Sequence, residues 1–205
     1  LRELWEDDEA TSLVLLYVES FGNPRRFGTL ARRIARSKPI LAVKSGTTGA
    51  GARAASSHTA ALAGSEAAVD ALFHQAGVIR AGSLEELIDV AALLSSQPMP
   101  RGRRVAVLTN AGGLGILCAD ACEANGLQVA QLSEVTTASL HSFLSDEASV
   151  ANPVDMIASA TAEDYLHAIE VVAGDPNVDA MIVIYIPPQA TKAAEIGQAI
   201  AEGID

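Results

Sequence analysis

Four short apolar runs, each stopped abruptly by turn-forming residues, constrain this chain more than any other feature. They are Leu13 to Val18, Pro39 to Lys44, Arg104 to Thr109 and Ala180 to Ile186. Each has the length of a strand and a continuous Val, Ile, Leu and Ala interior, without the alternation of a half-exposed strand. Such runs suit strands buried on both faces, as in parallel sheets. The segments between them read as helices. From Arg25 to Arg36, Phe27, Leu30, Ala31 and Ile34 recur at helical spacing. A second helical stretch from Ser65 to Ala76 is closed by Gly77, and a brief Val78-Ile79 strand follows. Ser83 and Glu86 then form a capping box for a helix with Leu84, Leu87, Ile88, Ala91 and Leu94 as its apolar face.

Ser95 to Gly102, with two prolines and a glycine, is the linker candidate, and the pattern restarts behind it. A strand over 104–109 enters the turn Asn110 to Gly115 and a helix ending near Gly126. A strand over 127–132 follows, then a helix capped by Ser133 and running to about Leu144. Asn152 to Met156 reads as a turn. Thr161 caps a helix ending at Gly174, the strand 180–186 is halted by Pro187-Pro188, and a last helix runs from about Thr191 to Glu202. Strands alternating with helices predict an α/β fold with parallel sheets. We expect two consecutive flavodoxin-like domains, 1–97 and 103–205, joined by 98–102. The first is short of opening strands and the second of a closing one. A chain beginning Leu1-Arg2-Glu3, with no initiating Met, reads as a piece of something longer.

Composition narrows the function. Hydrophobic residues are 49% and charged residues 19%, a globular balance. A formal charge of −11 argues against nucleic-acid partners, which need a basic surface. No apolar run reaches the roughly 18 residues of a membrane span, and no signal peptide is visible. Cys118 and Cys122, four apart in a helical pattern, form no disulfide framework and read as core residues of a reducing, cytoplasmic compartment.

Three features could carry chemistry. His58 lies beyond a strand end, after the run Gly46-Thr47-Thr48-Gly49-Ala50-Gly51, with Ser57 and Thr59 beside it. Their hydroxyls could hold phosphate oxygens, the small surroundings leave room for a phosphoryl group, and the imidazole could attack phosphorus; a lone histidine there could also be structural. His74, His141 and His167 fall within helical patterns and read as structural or surface residues. Glu19 ends the first strand at the same sheet edge. It could orient the imidazole through one ring nitrogen, or be an ordinary exposed turn residue. Asn110, Ala111, Gly112, Gly113 and Gly115 make a strand–turn–helix of the kind whose free N–H groups bind phosphate, or simply a tight turn. The turn lacks the Lys-Ser/Thr ending of a P-loop, and no acidic residue is placed to hold a ribose. No metal site is visible. Arg25, Arg26, Arg32, Arg33 and Arg36 read as a solvated helix face ahead of an anion patch.

These blocks together resemble a family. Pro39-Ile-Leu-Ala-Val-Lys-Ser-Gly46, Ala55-Ser-Ser-His-Thr59 and Leu62-Ala-Gly64 are similar to the ADP(NDP)-forming acyl-CoA synthetases, relatives of succinyl-CoA synthetase. Leu108 to Gly115 and Asn152-Pro-Val-Asp-Met156 resemble the next domain of that family. The resemblance implies that acyl-CoA and phosphate give an acyl phosphate, whose phosphoryl group passes to His58 and then to ADP. Glu19 would orient His58, and two helix N-termini, one behind His58 and one at Gly113, would flank the phosphohistidine. It also implies a CoA-binding Rossmann domain, an ATP-grasp domain, CoA, ADP or ATP, phosphate and Mg²⁺, a small carboxylic acid as substrate, and possible oligomers. None of those cofactors is expected to be held by this segment alone, and the isolated segment is expected to be inactive. Two other readings are a ligand-sensing synthetase-like region fused to a GNAT-type protein lysine acetyltransferase, and a non-catalytic flavodoxin-like interaction domain.

Overall fold

The computed structural model describes residues 4–46, 66–188 and 193–204. The chain divides into two compact units, Leu1–Met99 and Pro100–Asp205. Among the described residues, no helix is long and apolar enough to cross a membrane.

In the first unit the order is α1 (Leu4–Asp7), β1 (Val14–Val18), α2 (Pro24–Ile34), β2 (Ile40–Lys44), α3 (Glu66–Ala76), β3 (Val78–Ala81) and α4 (Leu84–Ser96). The three strands form one parallel sheet in the order β1-β2-β3. Val14 pairs with Ile40 through to Val18 with Lys44, and Ile40 pairs with Val78 through to Val43 with Ala81. Every strand is thus bonded to its neighbour by backbone alone. The α2 helix starts where the sequence demands: the Asn23 side chain accepts the Arg26 N–H at 2.9 Å, and Pro24 occupies the first turn. Phe27, Ala31 and Ile34 of α2 and Val69 and Phe73 of α3 cover one face of the sheet against Val14, Ile40, Ala42 and Val78. Leu87 and Ala91 of α4 cover the other face over Leu41, Val43 and Ala81.

Two details differ from expectation. Leu84 and Ile88 are 54% and 62% exposed, because only a narrow stripe of α4 meets the sheet. The capping box is half formed. The Ser83 hydroxyl accepts the Glu86 N–H at 3.0 Å, but the Glu86 carboxylate reaches one residue further back, to the Gly82 N–H at 2.7 Å. On the α4 side of β1, Leu15 and Tyr17 remain 47% and 58% exposed.

The second unit runs β4 (Arg104–Thr109), α5 (Gly112–Ala124), β5 (Gln128–Val129), α6 (Glu134–Phe143), β6 (Val154–Asp155), α7 (Ala162–Ala173), β7 (Ala180–Ile184) and α8 (Ala193–Ile204). The central strand is β4. One edge pairs with β7 over its length, Val105 with Ala180 through to Thr109 with Ile184. The other edge is shared by two short strands, β5 at Arg104–Val105 and β6 at Leu108–Thr109. The expected strand over 127–132 is therefore only two residues long, and the expected turn at 152–156 contains a strand.

A side chain closes the gap between β5 and β6. Asn152 Oδ1 accepts the Val107 N–H at 2.9 Å, while its Nδ2 donates to the Val105 and Ala130 carbonyls, each at 2.8 Å. An amide side chain has the donor and acceptor of a peptide group, so Asn152 substitutes for the missing stretch of strand. Arg104 pins the start of β4. Its backbone N–H and guanidinium both bind Asp179, with contacts of 2.8–2.9 Å, and hold that carboxyl down at about 2. The core lies mainly between β4, α7 and α8, around Leu108, Tyr165, Ile169, Val172 and Ile196. Cys122 is buried against Val105 and Val107 on the opposite face, and both cysteines are free thiols.

Candidate functional site

Parallel strands bring their carboxyl ends to one edge, where ligands bind in open α/β sheets. In the first unit that edge carries Glu19, exposed just past β1. Beside it the Ser45 N–H donates to the Val18 carbonyl at 3.1 Å, and the chain leaves β2 through Gly46, whose φ of 71° favours glycine. His58, Ser57 and Thr59 lie outside the described residues. Of the other histidines, His74 and His141 are exposed on α3 and α6, and His167 on α7 meets Phe143 edge-on at 5.6 Å.

The corresponding edge of the second unit is described throughout. Ala111 occupies the N-cap position of α5 with extended backbone (φ −143°), but no side chain caps the helix. The Leu114 and Gly115 N–H groups bond back to the Ala111 carbonyl at 2.9 and 3.2 Å, and the Ala111 N–H is taken by the Thr109 hydroxyl at 3.0 Å. Gly112 and Gly113 present the first-turn N–H groups, which have no acceptor within a helix.

The five residues of this turn expected to bind phosphate have different surroundings. Asn110 is 5% exposed, and both ends of its amide are used: Nδ2 donates to the Ile186 carbonyl at 2.7 Å and Oδ1 accepts the Ile186 N–H at 2.9 Å. That pairing ties the carboxyl end of β4 to the segment after β7. The Asn110 side chain is thus engaged inside the fold. A side chain at Gly115 would press on Thr109 and Pro153, at 3.0 and 3.2 Å. At Gly112 it would stand 2.4 Å from Asp155 Oδ2. Only Gly113 has open space over it, so a ligand has most room to approach α5 there.

Asp155 is the residue that sequence reasoning passed over, although it lies inside the quoted Asn152 to Met156 block. Its Oδ1 accepts the Ile157 N–H at 3.0 Å, in a turn that holds Ile157 at φ 59°, a conformation β-branched residues rarely adopt. The other carboxylate oxygen rests against the start of α5. A negative charge there is favoured by the helix dipole, by about 0.3–1 kcal/mol. Behind it, the Tyr165 hydroxyl donates to the Ile184 carbonyl at 3.1 Å, and burial pushes its ionisation upward. The Tyr185 ring stands edge-on to Tyr165 at 5.7 Å, its hydroxyl buried without a partner among the described residues. Among the described residues, no three His, Cys, Asp or Glu side chains gather as a possible metal-ligand set.

Comparison with known proteins identifies the two units. Residues 1–94 match the profile of the succinyl-CoA ligase-like flavodoxin domain, and residues 105–204 match that of the ligase-CoA domain. The chain is 43% identical over 204 residues to the alpha subunit of ADP-forming acetate–CoA ligase II of Pyrococcus furiosus, covering 100% of this chain and 44% of that subunit. It is 41% identical over 191 residues to ADP-forming acetate–CoA ligase I of Archaeoglobus fulgidus, covering 92% of this chain and 28% of the relative. A Candidatus Korarchaeum cryptofilum acetyl-coenzyme A synthetase 1, solved with phosphate and ADP, superposes with a TM-score of 0.87 at 34% identity, over 100% of this chain and 45% of that one. The chain thus spans less than half the length of these relatives. Two adjoining domains of the same enzyme type, matched in order through almost every residue, place the chain in the family of ADP-forming acyl-CoA synthetases.

Proposed function

We propose that this chain is the phosphohistidine-bearing central portion of an NDP-forming acyl-CoA synthetase. In the complete protein, acyl-CoA and phosphate would give an acyl phosphate and CoA. The phosphoryl group would pass to His58, releasing the carboxylic acid, and then to ADP, forming ATP. Glu19 would accept a hydrogen bond from one imidazole nitrogen and leave the other free for phosphorus. Ser57 and Thr59 would hold phosphate oxygens, and the Gly112 and Gly113 N–H groups, with the α5 dipole, would face the transferred charge. The observation that carries this reading is the 43% identity through both units to an acetate–CoA ligase subunit. The exposed carboxylate of Glu19 and the uncapped start of α5 also support it.

In the same reading, residues 1–97 and 103–205 are two flavodoxin-like domains joined by 98–102. The first sheet continues beyond β1 in the complete protein, which would cover the exposed Leu15 and Tyr17. CoA, nucleotide and Mg²⁺ belong to Rossmann and ATP-grasp domains of the same chain or a partner subunit. The substrate is a small carboxylic acid, and the enzyme works in the cytoplasm. Labelled ATP with Mg²⁺ should place an acid-labile, base-stable phosphate on the complete protein. The label should vanish in His58→Asn and form more slowly in Glu19→Gln. A label persisting in His58→Asn would sink the assignment.

A further inference from the structure

The charges of this chain are unevenly spread. Residues 20–65 hold eight of the 14 lysines and arginines and none of the 25 acidic residues, leaving six cations against 25 acids elsewhere, a formal −19. In the first turn of α2, within the described part of this acid-free stretch, Arg25 and Arg26 are both on the surface. Helix dipoles favour acids in a first turn. Of the described helices, α1, α3, α4, α6, α7 and α8 have acids there, α5 has no charge there, and α2 has two arginines and no acid. Four other arginines are used within the fold, whereas Arg36, Arg101 and Arg103 form no ion pair among the described residues. Arg33 pairs with Glu6, Arg80 with Glu66 and Asp70, Arg104 with Asp179, and Arg32 donates to the Gln75 carbonyl at 2.9 Å. Arg25 and Arg26 have no ion pair among the described residues. They carry charge that works against their own helix and joins no ion-pair partner among the described residues.

Topology places that charge. The α2 helix begins at the carboxyl end of β1, so Arg25 and Arg26 stand at the sheet edge that also carries Glu19, with Lys44 ending the adjacent β2. Opposing charges at that edge are Glu19 itself and, beyond β3, Glu85 and Glu86 at the start of α4. We propose that Arg25 and Arg26, with Lys44, form an anion-recruiting rim that draws phosphate-bearing reactants to the β1–β2 side of this edge. An enzyme of strongly negative net charge repels such reactants in general, and a local patch of opposite sign restores their approach. Guanidinium groups also match phosphate geometry in two-point contacts. The proposal rests on the reading above, in which a phosphoryl group is handled at this edge.

The test compares the complete enzyme with Arg25→Gln/Arg26→Gln and with Arg36→Gln. Arg36 lies roughly 16 Å further along the helix direction, about two Debye lengths at physiological salt. The readout is kcat/KM for inorganic phosphate, with acetyl-CoA and ADP, as a function of ionic strength. At low salt the double variant should lose about threefold to tenfold in kcat/KM with kcat little changed, and the gap should close in roughly 0.5 M salt. Arg36→Gln should lose less than the double variant at low salt and follow wild type at physiological salt. An unchanged salt profile in the double variant, or an equal loss in Arg36→Gln, overturns the proposal. ATP labelling of His58 in the same samples reports separately on the underlying function. If turnover is absent, a phosphate titration followed at the arginine Nε–H resonances decides. Arg25 and Arg26 should shift at lower phosphate than Arg101 and Arg103, and simultaneous shifts would overturn recruitment.

Discussion

The two units hold their sheets together differently. In the first, β1, β2 and β3 pair residue for residue through four or five positions, and backbone groups make the whole ladder. In the second, β4 is paired in pieces, and two asparagine side chains supply what backbone does not. Asn152 bridges the gap between β5 and β6, and Asn110 ties β4 to the segment behind β7. A backbone ladder tolerates many side chains, whereas an amide surrogate depends on one. The second unit should therefore be the more sensitive to single substitutions at its strand ends, and its glycine-rich edge is constrained by architecture as well as by any ligand.

The strongest way to break this contrast is Asn152→Ala. It removes three hydrogen bonds and strands the Val107 N–H and the Ala130 carbonyl, in residues at most 6% exposed, while the Val105 carbonyl keeps the Ala130 N–H at 2.9 Å. The expected cost is about 3–5 kcal/mol. Hydrogen exchange should show β4 losing protection while β1 to β3 keep theirs. A cost below about 1 kcal/mol in urea unfolding would mean that backbone or water replaces the amide.

A smaller effect separates architecture from ligand at neighbouring glycines. Gly112→Ala places a methyl against the Asp155 carboxylate and should destabilise by about 1–3 kcal/mol. Gly113→Ala meets open space and should stabilise α5 by up to about 1 kcal/mol through helix propensity. If phosphate approaches α5 over Gly113, the same variant should phosphorylate more slowly despite its stability. Thermal melts and the labelling assay read the two effects independently. Equal stability of the two variants would remove the Asp155 contact as the reason for a glycine at 112.

The smallest difference lies in acid. Asp179 is held at about 2 by Arg104, below its ordinary 3.8. Its contribution is fully present above pH 4 and is lost as pH falls through about 2. Asp175 is also lowered: burial raises it, but bonds from the Thr136 hydroxyl and the Ser133 and Asn177 N–H groups outweigh that penalty. The second unit should therefore lose β4 protection progressively from pH 4 to pH 2, with a shallower slope in Asp179→Asn. An identical slope in that variant would show that the acid response arises elsewhere.

Much of this architecture was legible in the sequence because it follows from local rules. Continuous apolar runs marked β1, β2, β4 and β7, and Ser83, Ser133 and Thr161 marked helix starts through their side-chain oxygens. Contacts remote in sequence were harder to foresee. Nothing local says that Asn152 would bond to Val105, 47 residues away, or that Asn110 would spend its amide on Ile186, 76 residues away. The Gly112–Asp155 contact is hidden for the same reason: nothing near Gly112 in sequence says that the Asp155 carboxylate would lie against it. Glu19 was placed correctly at the strand end because strand direction alone determines that edge.

The two structural asparagines also bear on how the molecule ages. Asparagine deamidates mainly when the following residue's backbone nitrogen attacks the side-chain carbonyl, which makes it a thermolabile residue. After Asn152 that nitrogen belongs to Pro153 and carries no hydrogen, so the route is closed. After Asn110 it belongs to Ala111, whose N–H is held by the Thr109 hydroxyl at 3.0 Å. The amides on which the second sheet depends are thus shielded, by their chain neighbours, from the slow chemistry that would turn them into carboxylates.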